Sequence, residues 1–184
     1  MRLFTHLIRS PAYTGAIVPS SQFLAEAMAD AAAGAAHVVE LGAGTGPVTR
    51  VLSTRYPGAR LTVVEMQPAL ASRLARAYPR ATVLARPAAE VLDEMHNEIG
   101  DERAPVVLVS SLPFRSLPTL VRQQTRQSIL RFLRSGRNRW LVQFTYQPRA
   151  PFEAELGFRW RHVKTVMANL PPAGVWTLSQ PRVQ

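Results

Sequence analysis

VVELGAGTG, Val38–Gly46, is the stretch that decides how this chain folds. Two valines, an acid and a leucine run straight into glycines at positions 42, 44 and 46. An apolar run that ends this way reads as a buried strand whose chain turns sharply at its end. Glycine lets backbone approach a ligand there with no side chain in the way. A dinucleotide fingerprint requires G-x-G-x-x-G/A. Here the third glycine falls one residue early and Pro47 follows it, which argues against NAD or FAD.

Outward from this turn, apolar runs alternate with amphipathic segments. Strands are expected at Ala59–Met66, Ala81–Ala85, Pro105–Ser110 and Arg139–Gln147, and a last pair at His162–Leu170 and Gly174–Gln180. Helices are expected near Gly46–Tyr56, Pro68–Tyr78, Ala88–Ile99 and Thr119–Leu133, with one before the first strand capped by Ser20 or Ser21. Strands alternating with helices predict a doubly wound, seven-stranded α/β sheet. The last two strands lack a helix between them and predict an antiparallel hairpin at one edge.

The chain has 184 residues, enough for one domain with a full core. It has no cysteine, and its four histidines show no ligand spacing, so no metal site is expected. Its net charge is +10 and Lys164 is its only lysine. Arginine matches phosphate bidentately, which suits nucleic acid or an anionic membrane. No run reaches the roughly 20 apolar residues of a membrane span, and no secretory signal is evident. A cytoplasmic location is expected.

The Glu40-x-Gly42-x-Gly44-x-Gly46 pattern resembles the turn of class I S-adenosylmethionine (SAM) methyltransferases, with a Rossmann-like fold. Glu40 at the strand end suits the ligand's ammonium, and Ala43 and Gly46 complete the turn. Glu65 ends the second strand, where a carboxylate accepts ribose hydroxyls, and Met66 beside it can lie on the adenine. Ala88, opening the next helix, and Ser110, ending the fourth strand, join this expected cofactor set. The familiar acid after the third strand is missing: Arg86 and Pro87 stand there, which leaves Glu90 or a backbone carbonyl for adenine.

Ser111-Leu112-Pro113-Phe114 resembles the N-L-P-(Y/F) turn of enzymes that methylate amino groups. Ser111 or a backbone carbonyl can accept an N–H bond, and Phe114 offers an aromatic wall. With Tyr13–Met28 and Asn169–Trp176, this turn resembles the soluble bacterial phospholipid N-methyltransferases, relatives of rRNA adenine dimethylases. The resemblance implies methyl transfer from SAM, leaving S-adenosylhomocysteine, to phosphatidylethanolamine and its partly methylated forms, toward phosphatidylcholine. It places Tyr13, Thr14 and Gly15 at the methionine end of SAM.

An aliphatic ammonium, with a pKa of about 10, must lose a proton before it attacks. Tyr13, Tyr146 and His162 are the candidate acceptors, with Ser111 also in the catalytic set. Phe114, Tyr146 and Trp160 can form a cation–π wall, lined further by Leu112 and Pro113. Arg115 is the candidate for the lipid phosphate, with Arg149 and Arg161 as alternatives.

Residues 1–12 are expected as a membrane-binding amphipathic segment before a methyltransferase domain at 13–184. Leu3, Phe4, Leu7 and Ile8 share one helical face, edged by Arg2, His6 and Arg9. The expected protein is a monomer, peripheral on the inner face of a bacterial cytoplasmic membrane. An rRNA adenine N6-methyltransferase is the alternative. Nucleic acid is the less expected partner, because the chain stops after the seventh strand and Ser111 replaces Asn.

Overall fold

The computed structural model describes residues 18–98, 104–169 and 171–181. Its elements, in chain order, are α1 (Val18–Asp30), β1 (His37–Leu41), α2 (Pro47–Arg55), β2 (Arg60–Val64), α3 (Pro68–Ala77), β3 (Thr82–Leu84) and α4 (Ala88–Glu98). There follow β4 (Val106–Ser110), α5 (Thr119–Arg134), β5 (Arg139–Thr145), β6 (Arg159–Val166) and β7 (Ala173–Ser179). One seven-stranded sheet has the order β3-β2-β1-β4-β5-β7-β6. All pairs are parallel except β5–β7 and β7–β6. This is the expected doubly wound sheet with its antiparallel edge hairpin.

The strands read as continuous apolar runs because both sheet faces are covered. Val38, Val107, Val109, Val142 and Val175 pack with Leu24, Met28, Val48 and Leu52 on one face. Val39, Leu41, Leu108, Leu141 and Leu178 pack with Leu92, Ile129 and Leu133 on the other. Period-two alternation thus sends neighbouring residues of one strand into two separate cores. α1 is stitched to the first core's rim: the Tyr56 hydroxyl donates to the Ala29 carbonyl (2.7 Å), Trp140 Nε1 to the Ala31 carbonyl (3.0 Å), and Arg55 pairs with Asp30.

Two boundaries differ from the sequence reading. The expected cap position, Ser20 or Ser21, falls inside α1. β6 begins at Arg159 and ends at Val166, ahead of the expected His162–Leu170. A bulge between His162 and Lys164 breaks its alternation, and this hides the strand's true phase. The expected segment 1–12, and with it Tyr13, Thr14 and Gly15, lies outside the described residues.

His37, at the start of β1, is buried, with Nε2 3.0 Å from the Thr62 hydroxyl. Burial, helped by the charge of Arg60, lowers its pKa to about 4. The folded value lies below the ordinary 6.5, so its contribution is present above pH 6.5 and is lost as pH falls toward 4. His37→Asn keeps a polar partner for Thr62 without titrating there. Urea titrations should show a flatter loss of stability over that window in the variant.

Candidate active site

The sheet order reverses between β1 and β4, and in such sheets ligands bind outside the strands' carboxyl ends at this switch. The glycine turn closes over that end. The Gly42 and Ala43 amides donate to the Val64 carbonyl (2.8 and 3.3 Å), which pins the turn to β2. A Cβ on Gly42 would meet Leu112 Cδ2 at 2.6 Å, because the loop after β4 lies directly on the turn. Gly44 has φ +57°, and a Cβ there would meet nothing within 4 Å. The second glycine therefore borders open space, and the first borders packed protein.

Glu65 is 7% exposed, and its carboxylate organises the turn. Oε2 accepts the Gly44 amide at 2.8 Å and Oε1 the Gln67 amide at 2.9 Å. Each oxygen keeps a further lone pair for a ligand hydroxyl. Met66, next along, is 46% exposed.

Glu40 is fully buried on the sheet face covered by α2. Neither of its carboxylate oxygens has a partner in hydrogen-bond geometry, although Thr49 lies close. Burial pushes its pKa up to about 7; Thr49 tempers the rise and the charge of Glu65 adds to it. A buried, unpartnered carboxyl is costly to a fold. It is a ready seat for a cation.

Ser110 is buried and its hydroxyl accepts the Leu112 amide at 3.3 Å. In the Ser111–Phe114 turn, the Leu112 carbonyl accepts both the Phe114 amide (2.9 Å) and Gln143 Nε2 (3.0 Å). Its two lone pairs are engaged, so among the turn's backbone carbonyls this one is already taken. Ser111 is half-buried and its hydroxyl makes no hydrogen bond among the described residues. Gln143 was not anticipated. Its signal is a lone amide inside the apolar fifth strand, RWLVQFT.

A cavity of about 190 Å³ opens beside this turn, lined by Leu112, Pro113, Phe114, Arg115 and Tyr146 among others. Phe114 is only 3% exposed and stacks on Phe152 at 5.0 Å, so it is a core residue with one edge at the cavity. Tyr146 is 42% exposed. Trp160 is not part of the lining: it packs on Phe152 at 5.0 Å and donates Nε1–H to the Phe152 carbonyl. His162 sits on the edge strand, aligned through Trp176 with Gln143. Two strand spacings, about 10 Å, separate it from Gln143, and its Nε2 lies 3.0 Å from the Thr165 hydroxyl. Arg161 belongs to the same remote strand. His162, Trp160 and Arg161, expected as proton acceptor, aromatic wall and phosphate contact, thus lie outside the residues that line the cavity.

Around the expected adenine side, Ala88 opens α4 and is half-buried. Glu90 is exposed and pairs with Arg86 at 3.5 Å; Arg86 also binds Glu94 at 2.5 Å.

No family model matches the chain, and no curated protein matches it. Solved structures do. One is a 1,6-didemethyltoxoflavin-N1-methyltransferase from Burkholderia thailandensis holding its substrate and S-adenosylhomocysteine; it is 17% identical with TM-score 0.61, over 96% of this chain and 84% of that one. A TehB-like SAM-dependent methyltransferase from Corynebacterium glutamicum is 15% identical with TM-score 0.58, over 97% and 96%. The 23S rRNA methyltransferase ErmE is 17% identical with TM-score 0.56, over 86% of this chain and 67% of its own. The fold is that of the class I SAM-dependent methyltransferases.

Proposed function

We propose that this protein is a SAM-dependent N-methyltransferase acting on the amine of phosphatidylethanolamine and its mono- and dimethylated forms. The observation that carries the cofactor reading is Glu40, a fully buried carboxylate without a partner beside a glycine turn that borders open space. Those groups fit SAM: Glu40 for its ammonium, Gly44 for close backbone approach, Glu65 for the ribose and Met66 for the adenine. When bound, SAM supplies a methyl group on a positively charged sulfur. The acceptor reading rests on the Ser111–Phe114 turn beside its cavity and on the resemblance to the phospholipid N-methyltransferases.

The chain's own residues then have distinct tasks. Gln143 holds the Leu112 carbonyl and so fixes the turn. The Ser111 hydroxyl accepts an N–H bond from the amine and aims its lone pair. The Phe114 edge and Tyr146 ring exclude water and face the growing ammonium. At pH 7 only about one such amine in a thousand is neutral, a deficit of about 4 kcal/mol. Tyr146, on the cavity wall, is the described candidate for taking the proton, and Tyr13 is the other.

The rRNA reading has one observation in its favour, the fold shared with a 23S rRNA methyltransferase. Labelled SAM incubated with phosphatidylethanolamine liposomes, and separately with ribosomal RNA, decides between them. We expect label in lipid, with a rate that rises with pH as the bound amine loses its proton. Label in RNA and none in lipid would refute the lipid reading.

Membrane attachment through residues 1–9 belongs to the same proposal. Among the described residues no helix is long and apolar enough to cross a membrane. Binding to anionic vesicles should weaken as salt shortens the Debye length below about 10 Å. Flotation assays should show Phe4→Glu with Leu7→Glu abolishing attachment while SAM binding persists. Normal flotation of that variant would remove the segment from this role.

A further inference from the structure

The cavity beside Ser111–Phe114 carries an unbalanced charge. Arg115 lines it, and its Nη2 donates to the Ala150 carbonyl at 3.2 Å. Arg149 approaches from the end of β5, with Nε donating to the Oε1 of Gln147, another lining residue, at 2.9 Å. Arg122 lies on the first turns of α5, close enough to act on Arg115. The pKa of Arg115 is lowered by partial burial first, and then by the charges of Arg149 and Arg122. No carboxylate pairs with any of these three among the described residues.

Arg55, Arg86, Arg126, Arg131 and Arg134 each meet an Asp or Glu. Other surface arginines, Arg50, Arg73 and Arg76 among them, also lack an acid partner, but Arg115 lines a cavity and Arg149 hydrogen-bonds a residue that lines it. Each guanidinium has five N–H donors. Arg115 and Arg149 each spend one on the hydrogen bonds just named, which leaves most of their donors uncommitted. A carboxylate offers two oxygens to such a group. A tetrahedral phosphate offers more, in directions that several planar forks can share.

We propose that Arg115 and Arg149 form an anion subsite at this cavity, which binds a phosphate group of the methyl acceptor while Ser111–Phe114 holds its nitrogen. This rests on the methyl-transfer reading and narrows it: the acceptor is an amine joined to a phosphate by a short linker. The subsite orients the substrate, because a phosphate fixed at the arginines leaves its amine a short arc of positions. It also discriminates, because an amine without the anion loses the anchor. Arg115 and Arg149 are specificity-determining residues under this assignment; the nitrogen chemistry remains with the turn.

The test is a titration of the whole protein with O-phosphoethanolamine and, separately, inorganic phosphate, followed by phosphorus NMR or calorimetry at constant ionic strength. The variant is Arg115→Gln with Arg149→Gln, both exposed positions. The control is Arg73→Gln with Arg76→Gln on α3, which removes the same charge from a surface away from this cavity. We expect the variant to lose at least about tenfold in affinity for both probes, the scale of charged hydrogen bonds, and the control to lose little. SAM affinity should stay unchanged in both.

Equal weakening in variant and control would overturn the subsite, as would wild-type protein that binds neither probe saturably. A third arm presents the headgroup in phosphatidylethanolamine vesicles, where KM should rise in the variant and kcat change less. An effect on vesicles with none on the soluble probes would also overturn the proposal, since the arginines would then act only on the bilayer's charge. Phosphate binding that persists in a protein unable to bind SAM would support the subsite and refute the methyl-transfer reading, so the two failures are distinguishable.

Discussion

Glu40→Gln is expected to abolish useful SAM binding and, at the same time, to stabilise the ligand-free protein above neutral pH. The two effects share one cause. The carboxyl is fully buried with neither oxygen partnered, so its ionised form is costly until a cation arrives. Its folded pKa of about 7 lies above the ordinary 4.5. Folding therefore retains a proton on Glu40 between these values. Stability is greatest below pH 4.5 and is lost as pH rises through 7. The loss is on the order of 3 kcal/mol by linkage. Glutamine carries no charge and escapes it, so the variant's melting temperature at pH 8 should exceed that of the wild type. Losing the partner of a buried ammonium costs about 2 kcal/mol or more, so SAM affinity should fall by roughly thirtyfold or more. In the wild type, SAM binding below pH 7 should release a proton and weaken with acidity by up to about tenfold per pH unit. Calorimetry in buffers of different ionisation enthalpy checks that release. Unchanged SAM affinity in the variant would remove Glu40 from the site.

Glu65→Ala is expected to lose SAM binding to a similar degree but to shift stability in the opposite direction. Here both oxygens are occupied, by the amides of Gly44 and Gln67. Charge-assisted bonds of this kind contribute about 1.5–3 kcal/mol each, and water entering the space restores part of it. A net loss of about 3 kcal/mol corresponds to a fall of roughly 10 °C in melting temperature for a chain of this size. The Gly44 amide then has no fixed partner, and the glycine turn loosens where it borders the ligand space. Scanning calorimetry without ligand, alongside SAM titration, separates this variant from Glu40→Gln: both fail to bind, one melting earlier and the other later. A Glu65→Ala protein as stable as the wild type would show that the turn does not depend on this carboxylate.

The positions of most strands, their parallel pairing and the edge hairpin follow from local features of the chain; β6, shifted by its bulge, is the exception. Continuous valine-rich runs demand burial on two faces, and only helices on both sides of a parallel sheet provide it. The spacing of Gly42, Gly44 and Gly46 after Glu40, and of Glu65 after them, placed the candidate cofactor residues for the same reason: a tight turn and its acid lie close together in sequence. The charge of the chain was also legible, as an arginine excess without a location.

What tertiary structure decided concerns residues distant in sequence. Phe114 and Trp160 both read as candidate wall aromatics, yet Phe152 separates them, and only Phe114 reaches the cavity edge. His162 read as a proton acceptor until strand order put it at the sheet edge. Gln143, 31 residues from Leu112 in sequence, donates to its carbonyl, a bond that no local pattern announces. Of the chain's many arginines, only the fold tells which meet an acid and which converge on a cavity. Hydrophobic periodicity and turn chemistry act over a few neighbouring residues, so a sequence displays them directly. Hydrogen-bond satisfaction and charge balance depend on which distant groups the packed sheet brings within a few ångströms, and that is settled only when the chain folds.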